Sequence, residues 1–383
     1  MDKEENLIRL NKKLFEVVAN KNDSDEAKLK KVKYLIYLGG DVNAKNDKGK
    51  SLLHSAVAKC NKDMVEFLLE NKANIGVKDK RDNTLLMEAV LNNRNDMVEF
   101  LCDKRMRLET TSSLGMTALM YASMKGYEDI VKTLLAKGAD ENACNDKGET
   151  ALMYAVKEKK HNVMRILIEG GADVNYDDVE NYETALHIAV KNNDMEAVKI
   201  LLDNKADVNA KDISGETALH KAVLGDYFEL AKELLDRGAD IDAQTSRDKT
   251  PLMMAYQEGF EWMASTLEKR GANKKLKSGD DDLLIFAIKG KNKNLIKKAI
   301  RMGCDVNRKK IIDNKTPLLE ACYVGDIEVV KTLVEEGAKV SEATLNELKS
   351  TSYNKEVVSW LEKKVKERKE GSLWEKVKRY GRG

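Results

Sequence analysis

Residues 117–140, TALMYASMKGYEDIVKTLLAKGAD, hold one complete copy of the pattern that decides this fold. Thr117 sits where a helix N-cap is expected, its oxygen free to accept an orphan N–H of the first turn. A short apolar helix follows and stops near Gly126. Ile130, Val131, Leu134 and Leu135 then recur at i, i+1, i+4 and i+5, the apolar face of a second helix. Gly138 ends that helix, where a left-handed C-terminal cap requires a residue without Cβ.

The same grammar runs outward in both directions. Ser51 and Thr84 precede it; Thr150, Thr184, Thr217, Thr250 and Thr316 follow, each with alanine five residues on. Successive starts from Ser51 to Thr250 differ by 33, 33, 33, 34, 33 and 33 residues. Asp282 to Ala287 fills the remaining slot without a threonine. Both prolines, Pro251 and Pro317, directly follow a cap, where the missing N–H costs nothing. Between repeats, Gly-Ala-Asp ends such as Gly171-Ala172-Asp173 lead through turns such as Asp212-Ile213-Ser214-Gly215 into the next cap.

A period of 33 with Thr217-Ala218-Leu219-His220-Lys221-Ala222 resembles the ankyrin repeat family. The resemblance spans roughly residues 13 to 365. It implies an all-α ankyrin-repeat solenoid of stacked helix-turn-helix units with protruding hairpin loops. The physics agrees, because one such helix pair cannot bury its apolar face alone. Residues 1–46 are expected to be a degenerate N-terminal capping repeat, with a polar insertion at Lys21 to Asp25. Residues 47–340 form the array of about nine repeats, the one at 280–310 degenerate; residues 341–370 give C-terminal capping helices and 371–383 a basic amphipathic tail carrying Trp374. Lys72 and Lys205 stand at the glycine cap position, and Arg105-Met106-Arg107-Leu108-Glu109 replaces a Gly-Ala-Asp-Val-Asn end. The Asp282 repeat lacks the threonine and has Lys291 and Ala299 in place of turn glycine and leucine, so residues 272–300 are expected to be the weakest joint.

Composition narrows the function classes. The chain has 383 residues, 34% of them charged and 42% hydrophobic, with a formal net charge of +2, which argues against wholesale polyanion binding. The five cysteines, Cys60, Cys102, Cys144, Cys304 and Cys322, include no CxxC pair and read as reduced thiols. No signal peptide and no membrane-spanning run is apparent, so the expectation is a cytoplasmic chain, monomeric by itself.

No residue set suggests catalysis, a metal or a cofactor. His54, His187 and His220 share a slot with Met87, Met120, Met153 and Met253, which points to packing, while His161 is off-pattern and reads as solvated. Gly49-Lys50-Ser51 resembles the end of a phosphate loop but lacks the upstream glycine. Cys102, Cys304 and Cys322 fit as small apolar residues. Asp280-Asp281-Asp282 fits a helix entrance better than a cation site.

The partner implied by the resemblance is another protein, held on the concave first-helix face of residues 84 to 260 and on the hairpin tips. Candidates are Leu91, Tyr121, Met124, Tyr154, Leu224, Tyr323 and Val324, with Tyr182 on a hairpin beside Lys147, Glu149, Ile213 and Ser214. The competing reading is that the Tyr and Met side chains pack against neighbouring helices. The alternative partner is nucleic acid or an anionic surface on the basic region 269–310, through Lys289, Lys291, Lys293, Lys297, Lys298 and Arg301. A solvated lysine face is the favoured account of those charges, since aromatic residues for base stacking are missing nearby.

Overall fold

The computed structural model describes residues 3–350 and 355–380, with side chains described up to residue 349 and again over 355–367. The chain divides into two compact bodies, Met1–Asp207 and Val208–Gly383. Among the described residues every regular element is a helix, and antiparallel pairing is limited to isolated bridges such as Lys45 with Ser51.

In the first body, Lys3–Ala19 and Asp25–Tyr37 form the opening pair, the second capped by Ser24 within the polar insertion. Five repeats follow, with first helices Leu52–Lys59, Leu85–Leu91, Ala118–Lys125, Ala151–Lys157 and Ala185–Lys191. Their second helices are Lys62–Glu70, Asn95–Asp103, Glu128–Ala136, His161–Glu169 and Met195–Asp203. The second body begins with Ala218–Leu224 and Phe228–Asp236 and ends with Glu342–Ser350 and Lys355–Tyr380. The last helix runs without a break through Gly371, so the tail continues the capping helix; the side chains of Leu373, Trp374, Val377 and Tyr380 lie outside the described residues.

Each first helix buries nearly all of itself. In the Thr84 repeat Leu85, Leu86, Met87, Ala89 and Val90 are buried, and Met97, Val98 and Leu101 come down from the second helix. Such a helix is apolar all round because its neighbours in sequence cover it on both sides, and these adjacent pairs make the principal contacts. Each buried leucine contributes about 1.5–3 kcal/mol, and no single pair supplies the shell that realises it.

Polar ladders tie one repeat to the next. Asn43 donates to Lys72 O at 3.3 Å and accepts from Asn74 N at 2.9 Å. Asn175 does the same with Lys205 O and Asp207 N, and Asn209 with Gly238 O and Asp240 N. Glu109 stands in for this asparagine, accepting from Asp140 N at 3.0 Å. Hairpin tips are joined backbone to backbone: Lys80 N to Lys48 O, Ser113 N to Arg81 O, and Val179 N to Lys147 O. Lys72, Arg105 and Lys205 adopt positive φ of 67°, 58° and 66°, the left-handed geometry that glycine provides elsewhere.

The Asp282 repeat is completed without a threonine. Asp282 supplies the missing cap, accepting from Leu284 N and Ile285 N at 3.1 and 3.3 Å. Leu283 through Ile288 are all buried, Phe286 among them, so the first helix is as well packed as any other. Ala299 is buried where other repeats carry leucine, and the network of Tyr256 with Glu268 (2.8 Å) and Glu268 with Lys298 (2.7 Å) ties this repeat to the preceding one. Gly290 is what permits the close approach: a Cβ there would lie 2.4 Å from Tyr256 O and 2.6 Å from Gln257 O. Because both obstacles are backbone, Gly290→Ala is expected to destabilise the chain by about 1–3 kcal/mol. Urea unfolding checks this, and an unchanged midpoint would show that the two repeats are not held that tightly.

Candidate interaction surface

Three positions in each repeat converge on the first-helix face: the residue before the cap and the fourth and seventh residues after it. The hairpin is aimed by a side chain that imitates a turn. Asp212 Oδ1 accepts from Ser214 N and Glu216 N at 2.9 and 2.8 Å; Asn46, Asp79, Asn145 and Thr245 act alike. The residue before the cap is thereby directed across the mouth between hairpin and helix.

In the later repeats of the first body that mouth is closed by charge. Glu149 holds Lys157 and accepts from Tyr154 Oη at 2.8 Å, while Asn145 donates to the same hydroxyl at 3.0 Å. Burial pushes the Glu149 carboxyl up, but the bonds from Lys157, Tyr154 and Asn145 outweigh it and hold it below the ordinary value. Burial and the Glu149 carboxylate together push the Tyr154 phenol well up. Glu183 pairs with Lys191 at 2.9 Å. The second body uses the same device: Lys221 lies between Asp212 and Glu216 at 2.5 and 2.8 Å, Asp281 meets Lys289 at 2.5 Å, and Lys315 stands 4.6 Å from the centroid of the Tyr323 ring.

The first three repeats of the array lack that closure. Their mouth positions hold Lys50 and Ala58, Asn83 and Leu91, and Met116 and Met124. Leu91 and Met124 are half-buried on adjacent first helices and so present apolar surface side by side. Tyr154, also half-buried, is fixed in the network with Glu149. Tyr121 follows the packing alternative: it is buried and donates to Ser112 Oγ of its hairpin at 3.2 Å. In the second body Leu224 is exposed, Val324 is half-buried, and Tyr323 is half-buried with its hydroxyl on Glu347 at 2.7 Å. Tyr182 is exposed on its hairpin, with Val179 beside it and Leu114 two hairpins earlier. Leu114, Val179 and, on an outer helix, Trp262 (83% exposed) were missed in the sequence. For Leu114 the signal was legible, since the same tip position holds Lys48, Arg81, Lys147 and Ser214 in other hairpins; Val179 shares its position with Ile213, and Trp262 has no such cue.

The basic region is partly neutralised by Asp281 within it and by Glu268 and Glu328 on either side. Lys289 is paired with Asp281, Lys293 with Glu328 at 3.2 Å, and Lys298 with Glu268. Lys291 and Arg301 are exposed and Lys297 half-buried. The acidic run is consumed as well: Asp280 accepts from Ile311 N and Ile312 N, Asp281 holds Lys289 and Lys310, and Asp282 caps its helix. Among the described residues no group of three His, Cys, Asp or Glu is placed to hold a metal ion, and no helix is long and apolar enough to cross a membrane.

The histidines do more than pack. His54 Nδ1 accepts from the backbone N–H of its own cap, Ser51, at 3.3 Å, and its Nε2 meets Asn83 O of the next repeat at 3.2 Å. His220 repeats this with Thr217 N at 3.1 Å and Lys249 O at 3.2 Å. Methionine keeps half of the arrangement, since the sulfurs of Met87, Met120 and Met253 accept the cap N–H at 3.4 Å. The Ser51–His54 contact resembles a catalytic pair, but both residues are buried, with no room for a substrate. Ser51 is thus a cap and Lys50 is held by Glu88 at 2.5 Å, so neither is arranged as a phosphate loop requires. His161 corrects its solvated reading: it lies between Asp194 (2.7 Å) and Glu196 (3.1 Å) of the following repeat, an inter-repeat tie. Burial pushes the thiols of Cys102 and Cys304 up and that of Cys322 to about 12, the opposite of an activated nucleophile.

A stack of capped helix pairs at a constant period of about 33 residues defines a helical repeat protein. The pattern of the ankyrin repeat family (ankyrin repeats, three copies) matches residues 18–112, 56–145, 105–178, 186–278 and 252–344, and the chain belongs to that family. Among 591 solved chains that match, the ankyrin repeat domain of Bcl-3, a member of the IkappaB protein family, is 27% identical. It is covered completely and covers 58% of this chain, with a TM-score of 0.54. No curated protein sequence matches the chain.

Burial holds His54 and His220 below the ordinary histidine value of 6.5, ahead of any charged neighbour. The unfolded chain therefore takes up protons at these sites before the folded one. Their contribution to stability is complete above about pH 6.5 and is lost as pH falls through the folded values. Urea midpoints measured between pH 7.5 and 5 should drop, and the drop should shrink when His54→Met and His220→Met are combined. An identical drop in the double variant would remove the histidines as its source.

Proposed function

We propose that this chain is a non-catalytic recognition scaffold that binds another protein on the first-helix face of its first body, with the neighbouring hairpin tips taking part. One observation carries the reading. The repeats capped by Ser51, Thr84 and Thr117 lack the cross-mouth ion pair that the Thr150 and Thr184 repeats possess, and show Leu91 and Met124 instead. A surface already set by stacked helices binds with little ordering cost. Family membership supports a protein as partner. Val179 and Tyr182 add two exposed apolar side chains on a later hairpin of the same body.

The basic stretch 269–310 is the second reading, favoured by the exposed cations Lys291 and Arg301 together with Lys297. Its weight is reduced because Lys289, Lys293 and Lys298 already serve carboxylates of the fold. Affinity capture from the native extract separates the two. Replacing Leu91 and Met124 by serine should abolish retention of the bound protein, with the urea midpoint close to that of the parent chain. Replacing Lys291, Lys297 and Arg301 by glutamate should leave it intact. Retention lost only in the second variant, with log affinity falling linearly in log salt, would establish the polyanion reading instead.

A further inference from the structure

We infer that the cleft between the first two hairpins of the array takes an acidic peptide segment bearing an aliphatic side chain; the inference rests on the protein-recognition reading above and specifies its chemistry. The cleft has a volume of about 460 Å³ and opens to solvent between residues 47–50 and 79–83, with Leu91 at its floor. It exists because the closing pair is missing. In the Thr150 repeat Glu149 bridges to Lys157, eight residues on, and in the Thr184 repeat Glu183 bridges to Lys191. Asn83 and Leu91 occupy the same two positions here and cannot bridge.

Charge on the walls selects the partner. Lys48, Lys80 and Arg81 line the cleft, all exposed, and none has a carboxylate partner among the described residues. Lys50 is neutralised by the buried Glu88 at 2.5 Å. Asp79 is spent on the backbone N–H groups of Arg81 and Asn83 and on the Asn83 amide, at 2.8, 2.9 and 3.1 Å. Asp79 keeps its negative charge, and with Asp47 it opposes Lys48, Lys80 and Arg81 on the lining, leaving the cations in excess by one. The walls therefore carry an uncompensated positive charge, which a carboxylate meets with charge-assisted hydrogen bonds.

Asn83 marks the depth of the site. It is only 6% exposed, and its Nδ2 is committed to Asp79, which fixes which way the amide faces. Reversing it would set oxygen against the Asp79 carboxylate. Its Oδ1 is buried without a hydrogen-bond partner. That oxygen is closed to solvent, so a ligand reaches it only once the Asn83 side chain is uncovered; a peptide N–H would then supply the missing donor, and a phosphate or carboxylate oxygen would not. In an extended peptide side chains two apart share a face, so an acidic residue at the lysines and an aliphatic one on Leu91 are compatible. The aliphatic floor offers no stacking platform for a base, which sets single-stranded RNA aside.

Panning the full chain against random twelve-residue peptides tests this directly. The expected outcome is enrichment of peptides that combine Asp or Glu with Leu, Ile or Val, bound at least tenfold more weakly by Lys80→Glu with Arg81→Glu. A second variant, Asn83→Glu with Leu91→Lys, installs the ion pair of the later repeats; it should close the cleft and abolish binding at an unaltered urea midpoint. Lysine-for-acid versions of the enriched peptides should regain binding to the Lys80→Glu, Arg81→Glu chain. Enriched peptides without acids, or peptides that bind both variants normally, overturn the inference; if those peptides are lost with Met124→Ser, the protein-recognition reading survives it. Oligouridine or inorganic phosphate displacing the enriched peptides at micromolar concentration would show an anion site and overturn it too. No enriched peptide, together with no retained protein in the extract capture, sinks both.

Discussion

The structure depends on the inability of a short helix pair to shelter its own apolar surface. First helices such as Leu85–Leu91 are buried along almost their whole length, yet each belongs to a pair too small to form a core. Stability is therefore held between repeats, and anything that keeps adjacent pairs in register matters more than what happens inside one. That explains the density of polar ties that cross repeat boundaries: the asparagine ladder, the His54 and His220 bonds to the following hairpin, and His161 between Asp194 and Glu196.

The same constraint explains which substitutions the repeats tolerate. Methionine replaces histidine after the cap because its sulfur still accepts the cap N–H, although it gives up the bond to the next repeat. Asp282 replaces threonine because a carboxylate accepts the same first-turn N–H groups. Glu109 replaces the ladder asparagine because one acceptor in the right place suffices for Asp140 N. Positive φ at Lys72, Arg105 and Lys205 costs about 1 kcal/mol each relative to glycine, a cost the stacked neighbours absorb.

Where a repeat departs from its neighbours without a compensating tie, the departure falls on the first-helix face. The early repeats of the first body omit the ion pair across the mouth, and there an apolar floor, unpaired cations and an unsatisfied amide oxygen come together. The basic stretch of the second body shows the opposite. Its lysines look unbalanced along the chain, yet several are enclosed by carboxylates, and Lys310 contacts both Asp281 and Glu320.

The repeat, its period, its caps and the helix pairs were legible from the amino-acid order, because capping and apolar periodicity are local and recur nine times. Leu91 and Met124 could be placed on the first-helix face for the same reason, and the left-handed lysines followed from their position at the end of a helix. Tyr121 could not be told from Tyr154 by position, since the two share one slot; the difference is whether the hairpin offers Ser112 or the Glu149–Lys157 pair. The balance of the basic region, the role of His161 and the open cleft beside Asn83 were decided by tertiary structure alone. Apart from local features such as the Asp281–Lys289 pair and the Asn83–Leu91 spacing, these depend on groups about 30 residues apart, such as Lys298 with Glu268 and His161 with Asp194, that meet only when one repeat is laid against the next. Local periodicity carries no record of that matching.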